Sequence, residues 1–499
     1  MPTRPSSLPP PGDRRGAEWP ALEAWQATAA SADILWASHA EAGALAQRAR
    51  WRLQQLLAAA CGAPLHARRL RAALGPGAGD PARSPAAAYR AAALPLEAIE
   101  PIDRAAASAG FDESCTDRRV TREALAPFLA DPGRIGEAFL GRYAVWTSSG
   151  STGEPAIWVH DARALAVYDA LETLRFGGLD RPGAGARAMR EWLASGPAGA
   201  RRFAMVGATG GHFAGTASVE RLRRGAPWAR DNVRTFTILQ SVPALAAELE
   251  AFDPAIVATY PTAAEVLAAE HEAGRLRVRP SEIWLGGEQL VEPVRRRIAA
   301  AFGCPVRQAY GASECLSIAW ECALGTLHLN ADWAVLEPVD RAMRPVPPGE
   351  PSHTVLLTNL ANHVQPVLRH DLGDGVTLTG ERCACGSAMP AMRIEGRRDD
   401  VIELDGPRGA VRLMPLAVET VLEHEAGARA FQLVATDRRT LSLRLAPGPD
   451  ATALRARCGR ALRRFLDDQG LPTIRIVDDP VPPMRDPRSG KLRHVLRAR

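Results

Sequence analysis

The chain has 499 residues, 46% of them hydrophobic and 23% charged, the balance of an ordinary globular protein. That length exceeds what one hydrophobic core usually supports, so at least two domains are expected. A net charge of +5, from 61 basic against 56 acidic residues, is too even to imply nucleic acid or a membrane surface as partner, and no apolar run reaches the length of a transmembrane span.

Residues 1–20 are rich in proline and serine and lack the apolar centre of a signal peptide. They read as a flexible tail, with a cytoplasmic location as the expectation. From Ala21 to Leu140 the sequence is helix-rich and broken by Gly75-Pro76-Gly77-Ala78-Gly79. Two apolar runs, Tyr143 to Trp146 and Ala156 to Val159, then flank Thr147-Ser148-Ser149-Gly150-Ser151-Thr152-Gly153-Glu154-Pro155. Glycines let backbone N–H groups turn toward an anion, and hydroxyls add uncharged donors, so this stretch suits a loop that wraps polyphosphate. A polar hairpin turn is the alternative. It is not a Walker A loop, since no Lys-Ser or Lys-Thr pair follows and the next run reads as a strand.

Asp161 can cap a helix running through Tyr168 to Phe176. From Thr235 onward strand and helix alternate. Thr235 to Leu239, Ala255 to Thr259, Glu282 to Leu285 and Pro305 to Gln308 read as strands. Between them lie helices over Val242 to Phe252, from Thr262 (with Glu265 as a capping-box pair) and over Pro293 to Phe302. Such alternation is the signature of an α/β fold with a mostly parallel, doubly wound sheet. Ligands of these sheets sit at the carboxyl ends of strands, where Gly286-Gly287-Glu288 and Tyr310-Gly311-Ala312-Ser313-Glu314 fall.

Texture changes near Gly396. Strands over Val401 to Leu404, Phe431 to Val434 and Leu441 to Leu445, with helices over Pro415 to His424 and Ala453 to Asp468, make a compact α+β unit. The boundary is placed at Arg397 to Asp400, dividing a large domain, 21–396, from a small one, 397–499.

Taken in order, the motifs are Thr147 to Pro155, Gly286-Gly287-Glu288, Tyr310 to Glu314, Arg369-His370-Asp371-Leu372-Gly373-Asp374, Gly396-Arg397-Arg398-Asp399 and Gly490-Lys491. With this set the chain resembles the adenylate-forming superfamily of acyl-CoA synthetases, adenylation domains and luciferases, and within it the phenylacetate–CoA ligase branch. The resemblance implies a large N-terminal domain with mixed, largely parallel sheets wrapped by helices, and a small mobile C-terminal domain. It implies ATP-dependent activation of a small carboxylic acid as an acyl adenylate, followed by transfer to coenzyme A. Delivery to a carrier-protein thiol or an amine is the alternative.

By the same resemblance Ser148, Ser149, Gly150, Ser151, Thr152 and Gly153 would hold the β- and γ-phosphates of ATP. Gly286, Gly287, Glu288 and Gly311 would lie in the nucleotide site, and Tyr310 would stack on adenine. Glu314 would reach Mg²⁺, a hard cation that prefers oxygen. Asp374 and Arg397 would meet the ribose, Asp399 would be the hinge, and Lys491 would stabilise charge developing at the carboxylate and α-phosphate. The chain departs from many members at Ala156, where they carry lysine, so its phosphate loop is less charged. On composition alone Lys491 could be a surface charge, Asp374 a turn residue, and Glu288 or Glu314 a helix-entry charge. Arg398 could take the place of Arg397.

Five of the eight cysteines fall between residues 304 and 385. Cys383 and Cys385, with Cys322 and His328, make a three-sulfur, one-imidazole set suited to a structural Zn²⁺, with buried or idle thiols as the alternative. Some phenylacetate–CoA ligase relatives carry a similar cluster. Cys304 and Cys315 read as small core residues. For the acid pocket, His212 and Phe213 in Gly210 to Gly215, and Tyr260, are the expected lining, against a loop that merely turns. An aromatic acid follows from the resemblance alone.

Overall fold

A computed structural model of the chain describes residues 24–148, 155–178, 201–227, 229–288, 290, 292–395, 402–407, 409–413, 417–418, 421–428, 431–448, 450–484 and 494–497. The expected boundary at 397–400, the hinge Asp399, Arg397, Lys491 and the loop residues Ser149 to Gly153 lie outside these.

Seven α-helices between Ala24 and Leu129 form an N-terminal layer. Polar N-caps start three of them: Ser84, Asp103 and Thr121 accept N–H groups of Ala87, Ala106 and Ala124. An antiparallel hairpin follows, β1 (Ala144–Thr147) and β2 (Ile157–His160), with Trp146 opposite Trp158. The helix Ala162–Ala170, capped by Asp161 as expected, continues as a π-turn, Leu171–Phe176.

The alternating region builds β3 (Phe203–Gly207), β4 (Val233–Thr237), β5 (Ile256–Thr259), β6 (Glu282–Leu285) and β7 (Val306–Ala312). They run parallel in the order 4-3-5-6-7. The sheet then reverses character through β8 (Cys315–Glu321) and β9 (Leu327–Leu329) to β14 (Ala391–Ile394) and β13 (Val376–Leu378), all antiparallel. Between them in sequence, β10 (Ala334–Val339), β11 (Thr354–Asn359) and β12 (Val367–Asp371) make a separate antiparallel sheet. The class is therefore the mixed α/β fold expected, with its nine-stranded sheet split evenly between parallel and antiparallel pairings.

Two details differ from the sequence reading. The strand expected at 235–239 begins and ends two residues earlier, because the Thr237 hydroxyl accepts the Leu239 N–H (3.1 Å) and turns the chain. The helix expected from Thr262 starts one residue earlier, at Pro261, with Tyr260 as N-cap, so residue 262 already lies in its first turn.

The C-terminal unit consists of a hairpin, β15 (Ile402–Gly406) with β16 (Gly409–Leu413), and a four-stranded sheet. That sheet orders β19 (Arg475–Asp479), β18 (Thr440–Leu445), β17 (Phe431–Asp437) and β20 (Val495–Arg497), with the helix Ala451–Asp468 burying Leu462, Phe465 and Leu466. Gln469 Nε2 donates to the Gln240 carbonyl at 2.8 Å, tying this unit to the loop after β4. Among the described residues no helix is long and apolar enough to cross a membrane.

Candidate active site

Glu314 sits in the two-residue turn between β7 and β8. The turn is tight because Gly311 lies over the next strand: a Cβ there would fall 2.0 Å from the Leu316 carbonyl oxygen, so only glycine fits. Three side chains from elsewhere hold the turn. Trp146 Nε1, on β1, donates to the Ser313 carbonyl at 2.8 Å, and His160 Nε2, on β2, meets the same oxygen at 3.1 Å. Asn359 Nδ2, at the end of β11, donates to the Glu314 carbonyl at 2.8 Å.

The same Asn359 nitrogen donates to Tyr168 Oη at 2.7 Å, and Tyr168 Oη lies 3.3 Å from His160 Nδ1. With Nδ1 accepting, His160 carries its proton on Nε2, facing Ser313. Burial drives His160 down to about 3, against the pull of the Ser313 carbonyl and the Glu314 charge, so the ring is neutral near pH 7. It stacks on Trp146 with ring centroids 4.1 Å apart.

Glu314 is buried, 7% exposed as a residue, and its Oε1 lies 3.5 Å from His370 Nε2. Burial alone would push this carboxyl up. The His370 contact and charge, with the Arg104 charge behind them, outweigh burial and hold it down to about 2. His370 lies on β12, edge-on to Trp158 at 5.3 Å. Its neighbour Arg369 takes a left-handed backbone (φ 46°), a strain of about 1 kcal/mol or more. Arg369 is held in it by bonds to the Ile99 carbonyl (2.8 Å) and to Glu337 (3.0 Å).

Tyr310 Oη donates to Asp374 Oδ2 at 3.0 Å, so the residues expected at adenine and ribose touch one another. Gly286 donates its N–H to the Thr259 carbonyl (3.2 Å). Gly287 has φ +80°, and its missing Cβ would lie 3.0 Å from the Tyr260 ring. Burial, with the Glu288 charge nearby, pushes the Tyr260 hydroxyl up to about 12, so it is a neutral donor here.

Of the hydroxyl-rich loop, Ser148 is described. Its N–H donates to the Ala156 carbonyl (2.9 Å), and the Arg104 guanidinium contacts its Oγ. The 210–213 loop reaches the hairpin through backbone: Thr147 N–H donates to the His212 carbonyl (2.7 Å), and Phe213 bridges Thr147. The His212 ring turns away, 5.0 Å from Phe128 with Nε2 3.3 Å from the Asp131 carbonyl. Phe213 caps the helix Ala214–Gly225.

A second cluster stands at the far end of β8. Ligand atoms of Cys322, His328, Cys383 and Cys385 all lie within 4.8 Å of one another. Cys322 and Cys383 Sγ are 3.9 Å apart, and Cys385 Sγ is 3.3 Å from His328 Nε2, close to the edges of about 3.5–3.8 Å of a tetrahedron around zinc. His328 Nδ1 meets the Met389 carbonyl at 2.9 Å, which fixes its proton there and leaves Nε2 free for a metal. The donor set fits Zn²⁺. Cys304 and Cys315 are buried apart from it.

Sequence reasoning passed over His370, Trp146, His160, Asn359 and Arg104. His370 was legible inside Arg369-His370-Asp371, whereas the others carry no local signal. One further signal lay in composition: Lys491 is the only lysine among the 61 basic residues.

The fold that carries these features is one also found in a CoA ligase of known structure. Over 99% of this chain and 94% of that one, the fold matches 2-hydroxyisobutyryl-CoA ligase in complex with 2-HIB-AMP and CoA in the thioesterification state, with a TM-score of 0.52 at 19% identity. In sequence the chain is 31% identical over 186 residues to the phenylacetate–coenzyme A ligase of a Thermus thermophilus strain, a segment spanning 35% of this chain and 40% of that relative. No protein-family model matches.

Proposed function

We propose that this protein is an ATP- and Mg²⁺-dependent carboxylate ligase that forms an acyl adenylate with release of pyrophosphate and passes the acyl group to the thiol of coenzyme A. The observation that carries the reading is the junction of three sequence-distant motifs. The β1–β2 hairpin bearing Ser148, the turn bearing Glu314 and the β12 segment bearing His370 and Asp374 meet through Trp146, His160 and Tyr310.

In this reading Glu314, kept ionised at neutral pH, would hold Mg²⁺, which neutralises the triphosphate when bound. The hydroxyl-rich loop would take the β- and γ-phosphates, and Tyr310 and Asp374 the nucleoside. Lys491 would meet the charge that builds between carboxylate and α-phosphate. Its standing as the sole lysine supports the assignment: arginine serves at every other cationic position, and a compact ammonium is retained at this one. The small C-terminal domain, 397–499, would turn about Asp399 to bring Lys491 in and then out, excluding water from the adenylate. Zn²⁺ on Cys322, His328, Cys383 and Cys385 would be structural, since four protein ligands leave no open position. An aromatic acid is favoured by the 31% identical relative, a phenylacetate ligase.

The test is ATP–pyrophosphate exchange against a panel of aryl and alkyl carboxylic acids, followed by thioester formation with coenzyme A. Acid-dependent exchange is expected, strongest with aryl acids. ATP bound without exchange across a broad panel would overturn the reading.

A further inference from the structure

We infer that Arg104, in the N-terminal helical layer, binds the β- and γ-phosphates of ATP and supplies from outside the hydroxyl-rich loop the positive charge that this loop lacks. The inference rests on the ligase reading above and names a residue that reading does not use.

The loop from Thr147 to Pro155 contains no lysine or arginine, carries Glu154, and is followed by Ala156. With the chain's single lysine at position 491, any further permanently cationic side chain beside the polyphosphate and its Mg²⁺ must be an arginine. Arg104 is where such a charge is needed. Its guanidinium contacts Ser148 Oγ at the entry to the loop, and its charge acts on Glu314, the proposed Mg²⁺ ligand. It also lines a cleft together with Ser108, Trp158 and His370.

The position is built rather than incidental. Ile102 N–H donates to the Arg369 carbonyl (3.0 Å) and its own carbonyl accepts the Asp371 N–H (2.9 Å), which stitches this segment to the strand carrying His370. Asp103 then starts the next helix by accepting the Ala106 N–H at 2.7 Å. A guanidinium so anchored stays charged at all relevant pH values and presents paired N–H groups that match phosphate oxygens. A polyphosphate beside an ionised Glu314 would otherwise meet like charge.

A tether between hairpin and helical layer would be the purely structural role, and nucleotide binding separates the two. Full-length protein with Arg104→Gln is titrated with the α,β-methylene analogue of ATP plus Mg²⁺, and separately with AMP. The expected result is a loss of about tenfold or more for the triphosphate analogue with AMP within about twofold of the parent, and partial recovery in Arg104→Lys. Equal weakening of both nucleotides, or of neither, overturns the inference while leaving the ligase reading intact. Parent protein that binds neither nucleotide overturns both. Should Arg104→Gln not fold, Arg104→Lys gives the same comparison at smaller amplitude, weakening the analogue and sparing AMP.

Discussion

The two ends of strand β8 solve the same problem in opposite ways. At its start, Glu314 is a buried carboxylate with His370 at 3.5 Å and the Arg104 charge acting on it, in a backbone turn held by Trp146, His160 and Asn359. At its end, Cys322 belongs to three sulfurs and an imidazole brought within 4.8 Å, a set that a bound ion would stabilise. Seven residues, about 23 Å of extended chain, separate them. In the proposed reading one end would receive a ligand that comes and goes, and the other would be a clasp. A strand between such a clasp and a reacting site would fix the site without covering it.

The comparison makes graded predictions. The largest effect should come from Glu314→Gln, which keeps the shape and removes the charge. ATP–pyrophosphate exchange should fall about 10²- to 10³-fold, with metal content and thermal midpoint near those of the parent. Loss of metal as well would mean the two ends are not independent. Next is Cys385→Ser at the exposed ligand. It should abolish about one equivalent of bound zinc and cost more than about 3 kcal/mol of stability, while exchange per folded molecule persists; zinc-free protein of parental stability would remove the clasp.

Acid should then weaken the fold through its buried histidines and Glu314. Burial holds His66 and His160 down to about 3 and His363 to about 4, below the ordinary 6.5. A depressed folded value means stability is full above the unfolded pKa, so it is expected to decline as pH falls from 6.5 toward 3. The lowered Glu314 adds a further decline from 4.5 toward 2. Urea unfolding as a function of pH measures this, and a flat profile between about pH 7 and 4 would contradict it. The smallest effect is assigned to Trp146→Phe, which removes one donor from the Ser313 carbonyl. About 1 kcal/mol of stability and a reduction of about tenfold or less in exchange are expected, with zinc content unchanged.

Much of this was legible in the residues. Polar caps, prolines and alternating apolar runs mark the helices and parallel strands from Val242 to Gln308, because those signals are local. Strand β3, next to the edge strand β4, was not read, since Phe203-Ala204-Met205-Val206-Gly207 is a short apolar run without periodicity, and its place between β4 and β5 is a fact of pairing alone. The antiparallel half of the sheet escaped in the same way: β13 returns from residue 376 to pair with β14, which pairs with β9.

The site divides along the same line. Sequence by itself determined its chemistry: a loop of hydroxyls and glycines, an acidic turn, a single lysine and a cysteine pair. Tertiary structure alone decided the company those groups keep. It placed Arg104 on Ser148, His370 on Glu314, and Cys322 and His328 beside Cys383 and Cys385, across separations of 44 to 61 residues. It also decided that His212 meets Thr147 by its backbone while its ring packs on Phe128. The reason is physical. Residue type fixes what a group can donate, accept or ionise. Which groups meet is set by strand order and burial, which depend on the whole chain folding at once.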